Sequence, residues 1–356
     1  MDKSIHCLWS PSTRTLLMMS EKIRPLWKRL QQKNIRTIEE LAQFLELTPE
    51  QCLKVHSHKR FPLNLPLRLA KNMQKGNLDD PLLLQFLPTL EEEKTIPGFS
   101  TDPLQEKSFQ KTPKLLHKYN GRVLLLLTGT CAMHCRYCFR NHFDYVPLGQ
   151  GLFRELEYIR QDSSIEEVIL SGGDPLSLSE ASLHTVLEQL DLIPHIRRIR
   201  FHSRFPIGIP ERIHDEFLVL LRFWQSRFQF WFFLHINHPH ELGDDLFEAI
   251  RGIQQLGIPV GTQTVLLRRV NDSVETLHIL FTQLVNHGLL PYYLFQLDPV
   301  AGSSHFNVPI HKGLEIMEEL QKLLPGYGVP KYVREIPHRP HKEMILKDSL
   351  PLHTIQ

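Results

Sequence analysis

The stretch Thr128-Gly129-Thr130-Cys131-Ala132-Met133-His134-Cys135-Arg136-Tyr137-Cys138-Phe139-Arg140 follows an apolar run at 123–127. It carries three of the five cysteines in the spacing C-x3-C-x2-C. The apolar run reads as a buried strand, and Gly129 ends it. Three thiolates on one short segment can face a common centre, and soft sulfur favours iron–sulfur clusters, zinc or copper(I). A structural zinc site closes its shell with four ligands, whereas Cys7 and Cys52 lie far upstream without partner spacing. Three ligands with one position vacant suit a [4Fe–4S] cluster whose fourth iron binds something else. The same residues also allow three buried cysteines on one helix face, zinc completed by His134 or His142, or a redox pair of Cys135 with Cys138. These readings fill the coordination shell less well.

A chain of 356 residues has room for one barrel-sized domain and an accessory piece. With 42% hydrophobic and 22% charged residues, it has the composition of an ordinary globular protein. A formal charge of +2 without a long basic run gives no reason to expect nucleic acid as a partner. Residues 1–14 lack the apolar core of a signal peptide, and no stretch reaches transmembrane length, so neither export nor a membrane is expected. Five cysteines in so long a chain make no disulfide framework, which points to the reducing cytoplasm.

Residues 1–75 read as an N-terminal helical segment. Thr37 with Glu40 forms a capping-box signature ahead of Leu41, Phe44 and Leu45, and Thr48-Pro49 with Gln51 repeats it. Residues 76–115 read as a linker or wrapping arm, because the pattern dissolves into Pro81, Pro88, Glu91-Glu92-Glu93, Pro97 and Pro103. Over 116–328 the chain alternates. Strands are predicted at 123–127, 167–170, 198–201, 228–234, 260–266 and 292–297, and helices at 152–160, 180–190, 211–224, 245–256, 274–287 and 313–324. Repeated strand–helix units imply an α/β fold of parallel strands with right-handed crossovers, and six units suit a partial (β/α)6 TIM-like barrel better than a closed eightfold one. Residues 329–356 form a short C-terminal extension. Chemistry in such barrels gathers where strands run into helices, and the polar motifs fall just after the apolar runs.

One of these is Ser171-Gly172-Gly173-Asp174-Pro175, after the second predicted strand. Paired glycines let a backbone approach a ligand, or make a tight turn. With Tyr137 preceding the last cysteine, the three-cysteine motif resembles the signature of the radical S-adenosylmethionine (SAM) superfamily. Ser171–Pro175 then resembles the element that holds SAM's methionine amino group there, with Asp174 in place of the usual Glu. Arg122-Val123-Leu124, His202-Ser203-Arg204, His235-Ile236-Asn237-His238-Pro239, Gln263 to Leu267, Val270-Asn271-Asp272, Pro291 to Leu294 and Gly326 to Pro330 follow in order. From about residue 100 to 345 the chain closely resembles the lysine 2,3-aminomutase family. Its short C-terminal end and helical N-terminal segment resemble the bacterial branch that makes β-lysine for modification of elongation factor P by a lysyl-transferring ligase.

The resemblance implies three cofactors, namely the cluster on Cys131, Cys135 and Cys138, SAM, and pyridoxal 5'-phosphate (PLP). SAM would lie against Gly172, Gly173, Asp174 and Arg204, with His235 and Gln263 as further cofactor contacts. Lys342 falls at the family's Schiff-base position, seven residues after Glu335, with Lys347 in reserve. The family's glycine-rich lead-in is replaced here by Pro337-His338-Arg339-Pro340-His341. Tyr119 and Arg122 match phosphate-binding positions, and Lys118 is a neighbouring basic residue. Arg140 would fork the α-carboxylate of L-lysine, and Asp298 with Glu335 would seat its ε-ammonium. Ser273 stands where clostridial-type enzymes place a zinc-binding cysteine, so that zinc is not expected. An electron from a flavodoxin or ferredoxin would start a radical transfer of the amino group from C2 to C3. The competing expectations are a mutase for another amino acid such as glutamate, which would need a cation near Asp298 and Glu335, or a non-catalytic iron–sulfur or zinc protein.

Overall fold

Apolar runs form the central strands, and short polar segments add the edges, of ten strands in the computed structural model, which describes residues 24–55 and 61–347. The readings that fall on 1–23 (with Cys7), 56–60 and 348–356 lie outside the described residues. The strands are β1 (Gln110–Thr112), β2 (Leu115–Tyr119), β3 (Arg122–Thr128), β4 (Glu167–Gly172), β5 (Arg198–Ser203), β6 (Gln229–His235), β7 (Val260–Val265), β8 (Leu290–Phe295), β9 (Lys331–Arg334) and β10 (Glu343–Met344). They lie in one sheet in sequence order. β3 to β9 run parallel, and β1, β2 and β10 add antiparallel edges. The crossovers are α1 (Phe153–Gln161), α2 (Glu180–Asp191), α3 (Asp215–Trp224), α4 (Asp244–Gln255), α5 (Val274–Asn286) and α6 (Ile310–Leu323). This is the partial barrel expected, with β9 as a further parallel strand. The two buried residues of β9, Tyr332 and Val333, are too few to give a signal in the sequence.

Helix ends differ from expectation where local chemistry decides them. Pro210–Arg212 forms its own short turn, and α3 starts only after His214, whose Nδ1 accepts from the Phe217 amide at 3.2 Å. α6 starts at Ile310, directly after Pro309, and so includes Gly313, where the Tyr332 ring fills the place a side chain would take. Ser273 caps α5 through the Thr276 amide.

The core is continuous from the N-terminal helices through the barrel. Phe201 stacks on Phe232 at 4.6 Å between neighbouring strands, and Trp27 packs edge-on against Phe205 at 5.5 Å. Both predicted capping boxes are present, at Thr37–Glu40 and Thr48–Gln51. The stretch read as an arm also carries core: Asp80 caps a turn of helix at Pro81–Leu84, and Leu82, Leu83 and Phe86 are fully buried. Prolines interrupt the periodicity there without removing the apolar payload. Each such side chain contributes about 1.5–3 kcal/mol by burial. Phe86→Ala should therefore cost about 3–5 kcal/mol of stability, measured by urea denaturation, if the arm folds as part of the barrel.

Candidate active site

The C-terminal ends of the parallel strands gather the candidate residues on one rim. The three cysteines follow β3, Gly172 to Asp174 close β4, and Arg204 follows β5. His235 ends β6 and pairs in register with Gln263 of β7, which in turn faces Tyr293 of β8. Asp298 follows β8 and Glu335 follows β9. Strand ends are where a barrel leaves backbone and side chains free for chemistry.

The cysteine loop has no regular structure, and the N-terminal segment and the arm hold its backbone. Asn34 Nδ2 donates to the Ala132 carbonyl at 2.7 Å and Gln31 Nε2 to that of Cys131 at 3.3 Å. The amides of His134 and Arg136 donate to the carbonyls of Asn64 (3.0 Å) and Gln85 (2.8 Å). Arg136 is buried against Glu92 of the arm. Tyr137 turns inward and is buried. Burial, then Asp174 and the two neighbouring thiols, raises the Cys131 thiol well above its usual range, and burial with Cys135 raises Cys138 to about 11. Thiols that resist ionisation alone are ones that a cation would ionise on binding. Among the described residues no group of three or more His, Cys, Asp or Glu side chains is placed to hold a single metal ion.

The glycine pair is required by this loop. A Cβ on Gly172 would stand 2.5 Å from the Thr128 carbonyl oxygen, and one on Gly173 would stand 2.5 Å from that of Thr130. Gly172 also has φ +119°. The amides of Gly173 and Asp174 donate to those same carbonyls at 2.6 and 2.8 Å. The Asp174 carboxylate is engaged within the chain. It accepts from the amides of Leu176 (3.0 Å), Arg204 (2.7 Å) and Phe205 (2.9 Å) and from Ser203 Oγ (2.8 Å). Burial pushes it up to about 6, with those donors pulling the other way. Asp174 therefore fixes the β4 and β5 ends to each other.

Arg204 lies in a buried polar knot. Nη1 reaches Cys135 Sγ at 2.9 Å and the Tyr137 hydroxyl, and Nη2 reaches Gln85 Oε1 at 2.7 Å and Glu241 Oε1 at 3.0 Å. His235 Nε2 lies 2.9 Å from the Tyr137 hydroxyl, and burial, then Arg204, keeps the ring neutral. Gln85 and Glu241 left no mark in the sequence as site residues, because each is a single polar residue in an unpatterned loop.

The second half of the site forms around Glu335 and Lys342. The β9–β10 register pairs Arg334 with Glu343. Continued by one residue it faces Glu335 with Lys342, the physical basis of their spacing. Lys342 Nζ lies 2.8 Å from Glu335 Oε2, and Lys118 Nζ lies 2.6 Å from Oε1. Tyr119 also donates to Glu335. Although burial opposes it, Lys342, Lys118 and Tyr119 hold the Glu335 carboxyl well below its usual range. Asp298 is pushed up to about 7 by burial and then by Glu335, with Lys342 opposing. In place of a glycine lead-in, His338 takes the left-handed conformation at φ +61°, which costs a non-glycine residue about 1–2 kcal/mol. It is held by Gln105 Oε1 at 2.6 Å and by the Phe109 ring. Lys347 instead pairs with exposed Glu318 at 3.2 Å, away from this cluster.

The Arg140 side chain is largely covered, and its Nε and Nη2 meet both oxygens of Glu106 at 2.8 and 2.6 Å. Burial works against its charge, but Glu106 outweighs burial and keeps it charged. Arg122 lies over the Tyr119 ring at 4.5 Å. Burial, then Arg122, lowers Arg200 to about 10. Arg200 also pairs with Glu167, and with Arg122 it brings positive charge to this side of the site that sequence reading missed in part. Arg200 lies two residues before His202 on one face of β5, so strand alternation from the His202-Ser203-Arg204 motif could have found it. His202 is kept neutral by burial, then by Arg200 and Lys342, and its Nε2 is buried without a hydrogen-bond partner. A lysine, two arginines, a tyrosine and an unsatisfied imidazole nitrogen fit a phosphate-bearing pyridoxal group. The three thiols fit a cluster.

A partial parallel barrel with three cysteines after its first parallel strand and a glycine pair after the next defines a radical SAM enzyme. A profile for the 4Fe-4S single cluster domain matches residues 120–200. The L-lysine 2,3-aminomutase of Escherichia coli (strain K12) is 43% identical over 310 residues, 85% of this chain and 90% of that one. That of Clostridium subterminale is 35% identical over 322 residues, 87% of this chain and 75% of that one. A radical SAM methyltransferase from Sphaerobacter thermophilus aligns in structure with a TM-score of 0.44 at 18% identity, covering 62% of this chain and 68% of that one. The chain belongs to the lysine 2,3-aminomutase family, an aminomutase family of isomerases.

Gly173→Ala should force the cysteine loop off the β4 end, costing about 1–3 kcal/mol and lowering the iron retained after anaerobic reconstitution. Iron content equal to that of the unsubstituted protein would count against this packing.

Proposed function

We propose that the protein converts L-lysine to β-lysine as a radical SAM, PLP-dependent 2,3-aminomutase. One observation carries the reading. Lys342, Glu335 and Asp298 converge on the rim that also bears the three cysteines, with Lys342 Nζ 2.8 Å from Glu335. When bound, the cluster and SAM supply a carbon-centred radical that takes hydrogen from Cβ, and PLP supplies the π-system through which the amino group moves from C2 to C3.

The chain's own residues bind and orient. Cys131, Cys135 and Cys138 ligate the cluster. Gly172 and Gly173 present backbone to SAM, and Asp174, already saturated by in-chain donors, sets their position. Arg204, His235 and Gln263 stand around the cofactors. Tyr119 and Arg122, joined by Arg200, hold the PLP phosphate, and Lys342 carries PLP. Arg140 receives the α-carboxylate. Asp298 and Glu335 receive the ε-ammonium; Lys118 and Lys342 already lie against Glu335, so discrimination against the side chain of glutamate falls to Asp298. An electron from flavodoxin or ferredoxin and delivery of β-lysine to elongation factor P through its ligase rest on the resemblance to the bacterial branch, and a cytoplasmic site rests on four free cysteines among the described residues. No helix among the described residues is long and apolar enough to cross a membrane.

The test is anaerobic reconstitution with iron and sulfide, then reductant, SAM, PLP and L-lysine, with β-lysine as the expected product. Asp298→Asn should lower lysine turnover by about two to three orders of magnitude, since breaking a desolvated charge pair costs roughly 2–5 kcal/mol at ~1.4 kcal/mol per tenfold. Cluster and PLP should stay bound.

Asp298 also gives a pH signature. Burial, then Glu335, pushes its carboxyl up to about 7, with Lys342 opposing, and an ammonium partner favours its ionised form. Lysine binding at pH 6 should therefore release a proton, while binding at pH 8 should release almost none. Calorimetry in two buffers of different ionisation enthalpy reads this directly, and Asp298→Asn should abolish the difference.

A further inference from the structure

The arm reaches the rim at three points. The Ser100 amide donates to the Pro299 carbonyl at 2.9 Å, and the Ala301 amide donates to the Ser100 carbonyl at 2.8 Å, beside Asp298. Gln105 Oε1 accepts from His338 Nε2 at 2.6 Å, in the lead-in to Lys342. Between these, Glu106 takes the Nε–Nη2 edge of Arg140, while Arg140 Nη1 donates to Ser171 Oγ at 3.2 Å. Both side chains of the pair are about nine-tenths buried, at 9% and 12% exposure.

A guanidinium has five N–H donors in a fixed plane. Glu106 uses two and Ser171 one, which leaves one N–H on each terminal nitrogen. Glu106 itself cannot easily leave. Its amide is capped by Asp102 at 2.9 Å, and the chain just before it is pinned at Ser100 and Gln105, while β1 follows at Gln110. A fixed carboxylate on one edge holds the plane of the guanidinium and prevents it from rotating toward other acceptors.

We propose that Glu106 is a positioning residue of the carboxylate seat, orienting Arg140 so that its remaining N–H groups meet the α-carboxylate of an amino acid. The inference rests on the reading of Arg140 given above and assigns the arm a part in choosing α-amino acids over plain amines. Partners that orient metal ligands are worth about 10–100-fold in affinity, and an outer partner of a guanidinium fork should act on that scale.

The experiment compares L-lysine with 1,5-diaminopentane, which is lysine without the carboxylate, by calorimetry on the reconstituted holoenzyme. The unsubstituted enzyme should prefer lysine, and Arg140→Ala should erase that preference. Glu106→Gln should reduce it at least tenfold while diaminopentane binding stays within twofold. Glu106→Asp, which keeps the charge, should lose less and guards against a folding defect in the Gln variant. An unchanged preference in Glu106→Gln would overturn the inference, and so would a stronger one, which would make Glu106 a plug that substrate displaces. Full preference in Arg140→Ala would instead overturn the carboxylate seat itself.

Discussion

The cysteine loop satisfies only part of its own backbone. Residues 129–147 form neither helix nor strand, yet buried amides and carbonyls must find partners. Asn34, Asn64 and Gln85, all upstream of the barrel, supply them. This requirement gives the segments ahead of the first parallel strand a part in the site. It also explains why Leu82, Leu83 and Phe86 are buried: they seat the segment whose Gln85 must meet the loop within hydrogen-bonding distance.

Charge is arranged by the same logic. Arg136 meets Glu92, Arg140 meets Glu106 and Arg204 meets Glu241, each pair largely removed from water. Buried pairs contribute little net stability, because desolvation offsets the attraction, but breaking one is costly. Their value here is geometric. Each fixes a residue of the loop or of the rim in one orientation, and two of the three acids come from the arm.

Much of this was legible in the sequence. Alternation of apolar runs with amphipathic stretches located the six main strands and six helices, because each element buries one face and repeats its period. The cysteine spacing and the glycine pair located the rim. Less visible were relations that depend on tertiary contact. Glu106 lies in a proline-interrupted stretch with no pattern, and only folding brings it to Arg140. β9 has two buried residues, too few to show a period. The glycine-rich lead-in before Lys342 is absent from the sequence, and nothing there shows that His338 adopts the glycine-like conformation with Gln105 and Phe109 holding it.

The hydrogen bonds from residues 31–85 to the cysteine loop bear on how its three thiols are ordered. Small zinc domains fold only when metal arrives, since nothing else orders their ligands. Here the polypeptide supplies that order itself, through amides and carbonyls contributed by neighbouring segments. A change at Asn34, Asn64 or Gln85 therefore reaches the three cysteines through the backbone that carries them, without touching a thiol.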